Sequence, residues 1–206
     1  MIVTTPCPPS IDREPRRALQ PDQPTVEWQR NRHTLVVLDA HGVVLNRAFP
    51  TFVHRRARER SEDAAATWER WRRDLRLDFW EGRMTPDQMW TQLFPGDPPE
   101  RLTAGLEQTY GPGPLFEHVA STDHRMWLLS NHHSGWLIPQ LRRFGLADRF
   151  ERVLVSDRLG IAKPSPTVFE MVRHDAGETP VVLFDDSVVN VAAARAAGLP
   201  ARHVSS

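Results

Sequence analysis

The chain has 206 residues, and its 26 Lys and Arg balance 26 Asp and Glu. That balance excludes the basic footprint of a nucleic-acid binder or of a protein drawn to an anionic membrane, and leaves a small molecule as the expected partner. Cys7 is the single cysteine, which excludes an internal disulfide and a four-cysteine zinc site. The first ten residues lack a basic stretch followed by an apolar one, and no apolar run approaches membrane-spanning length, so the expected location is cytoplasmic. The length fits one domain, or a core carrying a modest insertion.

Residues 1–32 carry Pro6, Pro8, Pro9, Pro15, Pro21 and Pro24 among polar residues, a composition that buries little apolar surface and predicts a loosely attached extension. The first strong signal is Leu35-Val36-Val37-Leu38, a short apolar run that reads as a strand covered on both faces, as in a parallel sheet. It runs directly into Asp39, with His41 two residues on and Gly42 to turn the backbone.

Residues 48–115 read as a helical insertion. Ser61 is the expected cap of a helix holding Trp68, Trp71, Leu75 and Phe79. Thr85-Pro86-Asp87-Gln88 has the form of a capping box with proline at the first helical position, and Asp97-Pro98-Pro99-Glu100 repeats that pattern. The tryptophans of this segment read as packing residues.

From residue 125 strands and helices alternate. Arg125 to Leu129 forms a strand ending at Ser130-Asn131, and a helix from Trp136 to Phe144 stops at Gly145. Arg152 to Val155 is the next strand, followed by the Lys163 loop and a helix entered through Ser165-Pro166. Pro180 to Phe184 forms a strand ending at Asp185-Asp186, an alanine-rich helix stops at Gly198, and Arg202-His203-Val204 closes the sheet. Repeated strand-helix units predict an α/β fold, a doubly wound Rossmann-like parallel sheet with a small helical cap inserted after the first strand. The expected divisions are the extension, a core of residues 33–47 and 116–206, and a cap of residues 48–115.

In such a sheet Asp39, Ser130 and the Asp185-Asp186 pair lie along one edge, and Lys163 sits in the loop after a fourth strand. Lys163 is the only lysine, every other basic residue being arginine. A compact ammonium and a broad planar guanidinium differ most where one oxygen must be contacted in a tight site. The carboxylates suit a hard divalent cation, while Ser130 and Lys163 offer donors to phosphate oxygens. His132-His133 with His41 could form a transition-metal site, but the oxygen-rich set favours magnesium.

The motifs Leu38-Asp39-Ala40-His41-Gly42-Val43, Leu129-Ser130-Asn131, Ala162-Lys163-Pro164-Ser165-Pro166 and Phe184-Asp185-Asp186-Ser187, in this order, resemble the haloacid dehalogenase superfamily over residues 33–205. Phe144-Gly145-Leu146 through Phe150, Ser156 and Gly160 are similar to the branch holding glucose-1-phosphate-type phosphatases and the amino-terminal phosphatase of soluble epoxide hydrolases. Glu81-Gly82-Arg83-Met84-Thr85 resembles that branch's cap hairpin. The resemblance implies that Asp39 attacks phosphorus to give an aspartyl-phosphate. It also implies magnesium held by Asp39, the main-chain carbonyl of His41 and Asp186, with Asp185 assisting. Ser130 and Lys163 would hold the phosphoryl oxygens, and Asn131 and His132 would touch the organic part of a small phosphorylated substrate.

One position departs from the family pattern, which places a second aspartate where His41 stands. Three readings follow. His41 does the same acid-base work in a magnesium-dependent phosphatase, since an imidazole titrates near neutrality; the protein binds a phosphorylated ligand without efficient turnover; or it is a metal-independent, dehalogenase-like hydrolase. The retained acidic pair Asp185-Asp186 supports the first.

Overall fold

The computed structural model describes residues 33–205, so the extension expected over residues 1–32 lies outside the described residues. Five parallel strands form one sheet in the order β3-β2-β1-β4-β5. They are β1 (Leu35–Leu38), β2 (Met126–Ser130), β3 (Arg152–Val155), β4 (Val181–Asp185) and β5 (Ala201–His203). β1 lies at the centre, with Val36 opposite Met126 on one side and Val182 on the other.

Alternation along the strands divides the core in two. Val36, Leu38, Met126, Leu128 and Phe184 pack on one face; Leu35, Val37, Trp127, Leu129 and Leu183 pack on the other. Both faces are covered, which is why the strands read as unbroken apolar runs. Helices Pro166–Ala176 and Val188–Ala196 contribute Val168, Phe169, Val172, Val191 and Ala194 to the second face. Helix Ser134–Arg143 covers the first with Trp136, Leu137 and Leu141.

Between β1 and β2 the chain is helical: Ala48–Glu59, Ala64–Arg70, Arg76–Trp80, Pro86–Leu93, Pro99–Glu107 and Phe116–Ser121. Its apolar residues do not form a core of their own. Trp71, Phe79 and Trp90 belong to the same buried cluster as Val36 and Leu38, and Phe79 and Trp90 pack on Trp136 with ring centroids 5.0 and 5.2 Å apart. No helix among the described residues is long and apolar enough to cross a membrane.

Several local expectations need correction. The cap of helix Ala64–Arg70 is Asp63, whose carboxylate accepts from the Ala65 and Ala66 amides; Ser61 instead takes a positive φ of 57° in the preceding turn. The helix expected to run on through Trp71 to Phe79 is broken by a π-helical turn, Trp71–Leu75. The Thr85 capping box forms as expected, but helix Pro99–Glu107 has no side-chain cap. Asp97 is drawn away by charge, accepting from Arg56 Nη2 and Nε at 2.8 and 2.9 Å and pairing with Arg60. Glu81 to Thr85, the segment read as a cap hairpin, form the turn between helices Arg76–Trp80 and Pro86–Leu93. Gly82, at φ 74°, lies so close to the Asp157 carbonyl that a Cβ there would approach it to 2.4 Å.

Candidate active site

The carboxyl ends of β1, β2 and β4 converge on the floor of a cavity of about 870 Å³. Asp39 follows β1, and its amide donates to the Phe184 carbonyl at 2.9 Å, which ties it to the end of β4. Lys163 is the hub. Its buried ammonium donates to Asp185 Oδ2 at 2.7 Å and to the Leu129 carbonyl at 2.8 Å, and it lies 3.1 Å from Asp39 Oδ1. Asn131 holds the lysine loop through both ends of its amide: Nδ2 donates to the Lys163 carbonyl and Oδ1 accepts from the Lys163 amide, at 2.6 and 2.8 Å.

Asp185 is fully buried and its oxygens are already occupied. The Ser187 amide donates to Oδ1 at 2.8 Å, and Asn190 Nδ2 reaches both oxygens at 3.0 and 3.1 Å. Asp186 faces the cavity, where Arg47 Nε donates to its Oδ2 at 2.7 Å. Gly42, at φ 79°, is required beneath it, because a Cβ there would stand 1.9 Å from Asp186 Oδ2. Ser130 is buried, and its Oγ has no hydrogen-bond partner.

Burial sets the electrostatics. It raises the Asp39 carboxyl to about 7; Lys163 opposes the shift, and Asp185 and Asp186 add to it. Burial would lower the Lys163 ammonium, but Asp185 and Asp39 outweigh it and hold the pKa above its ordinary value. His41 is lowered to about 4 by burial and by Lys163, so its imidazole is neutral at pH 7. Its Nε2 is buried and unpartnered, and its ring meets His132 edge-on at 4.3 Å. His132 is pushed well below its ordinary value by burial and His41, and its Nε2 pairs with the Tyr110 hydroxyl.

Every residue expected at the site is therefore gathered at one sheet edge. Sequence reasoning missed Arg47, which gives no signal in a chain where arginine supplies nearly all positive charge. It also missed Tyr110, whose partner lies 22 residues on. Arg83 and His54 do not line the cavity: Arg83 pairs with Asp78 and Glu81, and His54 packs on Trp68.

A family model described as haloacid dehalogenase-like hydrolase matches residues 33–198. The chain belongs to the haloacid dehalogenase-like hydrolases. A family enzyme from Bacteroides thetaiotaomicron, solved with magnesium and inorganic phosphate, superposes with a TM-score of 0.62 at 20% identity, over 82% of this chain and 93% of that one. A predicted family hydrolase from Porphyromonas gingivalis gives 0.63 at 23%, over 82% and 90%. L-2-haloacid dehalogenase from Xanthobacter autotrophicus, with chloropropionic acid covalently bound, gives 0.61 at 18%, over 83% and 77%. These identities establish the shared fold. An uncharacterized protein of Lacticaseibacillus casei, from the fgs 3' region, is 30% identical over 77 residues, 37% of this chain, and the match spans only about a third, 36%, of that relative's length.

The oxygens of Asp39, Asp185 and Asp186 lie within 4.8 Å of one another, the group among the described residues able to hold a metal ion. A hard, oxygen-seeking cation fits this donor set. The charges agree: three carboxylates against Lys163 and Arg47 leave the site negative when all are ionised, which repels an anionic substrate until a divalent cation reverses the sign.

Proposed function

We propose that this hydrolase cleaves a small phosphate monoester with magnesium, through an aspartyl-phosphate on Asp39. The observation carrying this reading is the Lys163 hub: the only lysine, buried, joins the nucleophile candidate Asp39 to Asp185 and to the carbonyl of Leu129, the residue before Ser130, whose buried hydroxyl has no partner. Asp39, Asp186 and the His41 carbonyl would hold the cation, with Asp185 supporting through Lys163. When bound, the cation neutralises charge on the transferring phosphoryl group.

The chain's own residues do the rest. Lys163 keeps Asp39 oriented and offers donors to phosphoryl oxygens, and Ser130 Oγ offers another. An Asp39 oxygen attacks phosphorus and the ester oxygen leaves, so one P–O bond forms as another breaks. Water then attacks the aspartyl-phosphate and releases phosphate. Neutral at pH 7, His41 has a base to offer this second step and only one ring proton to lend the first. Asn131 acts by fixing the lysine loop, which leaves recognition of the organic group to the walls of the cavity.

A second reading has one observation in its favour. Arg47 already places positive charge on Asp186, which suits metal-independent attack at carbon with release of halide. The deciding experiment assays purified protein on a panel of phosphate esters and haloacids, with magnesium and with chelator. Magnesium-dependent phosphate release supports the proposal; chelator-resistant halide release, or no turnover of even 4-nitrophenyl phosphate, refutes it.

A further inference from the structure

The roof of the cavity differs from its floor. Where the floor is charged, the roof is built from Phe49, Trp68, Trp71, Leu77 and Trp80 of the helical insertion. These rings are continuous: Phe49 to Trp68 is 6.1 Å between centroids, Phe49 to Trp71 4.7 Å, and Trp71 to Trp80 6.2 Å. Trp71 is fully buried behind, while Trp68 and Trp80 are half-buried and present accessible surface. At the mouth, Leu77 on the insertion and Val189 on the sheet side are 54% and 60% exposed and both line the cavity. Large apolar side chains left open on both sides of one entrance suit an apolar ligand that covers them.

The charged groups of the roof are three. The Glu81 carboxylate is taken by Arg83, and Arg72 is paired with Glu69. Arg76 differs: its guanidinium lies 5.2 Å from the centroid of the Trp80 ring, and among the described residues it has no carboxylate partner. A polyol has no π-face to lay on these rings, and the roof's one carboxylate, Glu81, is already engaged by Arg83. An arginine stacked on an indole and lacking an acid offers a planar fork for a carboxylate.

We propose that the substrate's organic group is aromatic and carries an anionic substituent, its ring against Trp68 and Trp80 and its anion on Arg76. This rests on the phosphate-monoester reading, with the phosphoryl group on the Asp39 floor and the rest beneath the insertion.

Phosphonates separate recognition from turnover, because their carbon–phosphorus bond is not cleaved and leaving-group reactivity drops out. Benzylphosphonate, 4-carboxybenzylphosphonate and 2,3-dihydroxypropylphosphonate are titrated into the full chain with magnesium, read by quenching of tryptophan fluorescence. The benzyl compound is expected to bind tighter than the polyol, and the carboxylate to add on the order of tenfold, the size of one charge-assisted contact. Arg76→Gln should lose that tenfold and keep the benzyl affinity; Trp80→Ala should weaken both aromatic ligands. Equal binding of the polyol, a carboxylate advantage that survives Arg76→Gln, or no binding of any of the three by protein that hydrolyses phosphate esters would overturn the inference. Failure of the ester panel alongside selective phosphonate binding would overturn the hydrolysis reading and leave this subsite standing.

Discussion

In the proposed mechanism the chemistry turns on His41, which occupies the position where the family pattern places a second acid. An aspartate there would be expected to carry a proton to the leaving oxygen. The imidazole of His41 is held neutral by burial and by the Lys163 ammonium, with a pKa of about 4, so at pH 7 it holds no acidic proton for the leaving oxygen and is available, as a weak base, to accept one from water. His41→Ala should therefore slow breakdown of the aspartyl-phosphate by about 10²–10⁴ and leave its formation from activated esters nearly unchanged. Rapid-mixing kinetics would show a burst of leaving group equal to the enzyme present, followed by slow turnover. Loss of the burst itself, in proportion to leaving-group basicity, would instead assign His41 to the first step.

Elements set these residues in place, and here sequence pattern and three-dimensional context part company. Asp39, Ser130, Asp185 and Asp186 were legible because each lies at or just past the end of an apolar strand, so covalent neighbourhood nearly determines position, and Lys163 because it is the only lysine, in the loop region that follows β3. Arg47 was not, since it meets Asp186 across 139 residues, and no local pattern separates it from the other arginines. The accessible faces of Trp68 and Trp80 were equally hidden, because helical spacing says which residues share a face and not whether a cavity lies against it. The choice between Ser61 and Asp63 as cap was a local ambiguity settled by backbone: only Asp63 has the extended conformation, φ −67° and ψ 114°, that aims its side chain at the first amides. Asp63→Ala should destabilise the fold by about 1 kcal/mol in urea unfolding, while Ser61→Ala should change it by less than about 0.5 kcal/mol. The reverse order would restore Ser61 as the cap.

At the scale of the whole molecule the insertion and the sheet share one buried cluster, so the cavity lies between two parts of a continuous core. In the proposed site, stability and cation binding are linked through Asp39. Its folded pKa of about 7 lies above the ordinary 3.8, so without a cation its ionisation removes stability as pH rises through that window. His41 runs oppositely, its folded pKa of about 4 against 6.5 adding stability over the rise between those values. A cation at Asp39 must displace the proton, so the increase in Tm given by magnesium should grow from about pH 6 to about pH 8. In Asp39→Asn that growth should vanish; an unchanged growth would place the cation elsewhere. The central claim, that Asp39 carries the phosphoryl group, is tested most directly by acid-quenching His41→Ala during turnover of a phosphate ester with magnesium and locating the added mass by peptide mass spectrometry. The account predicts one phosphoryl group on the peptide containing Asp39, absent with chelator; a phosphoryl group on another residue, or none during steady turnover, would contradict it.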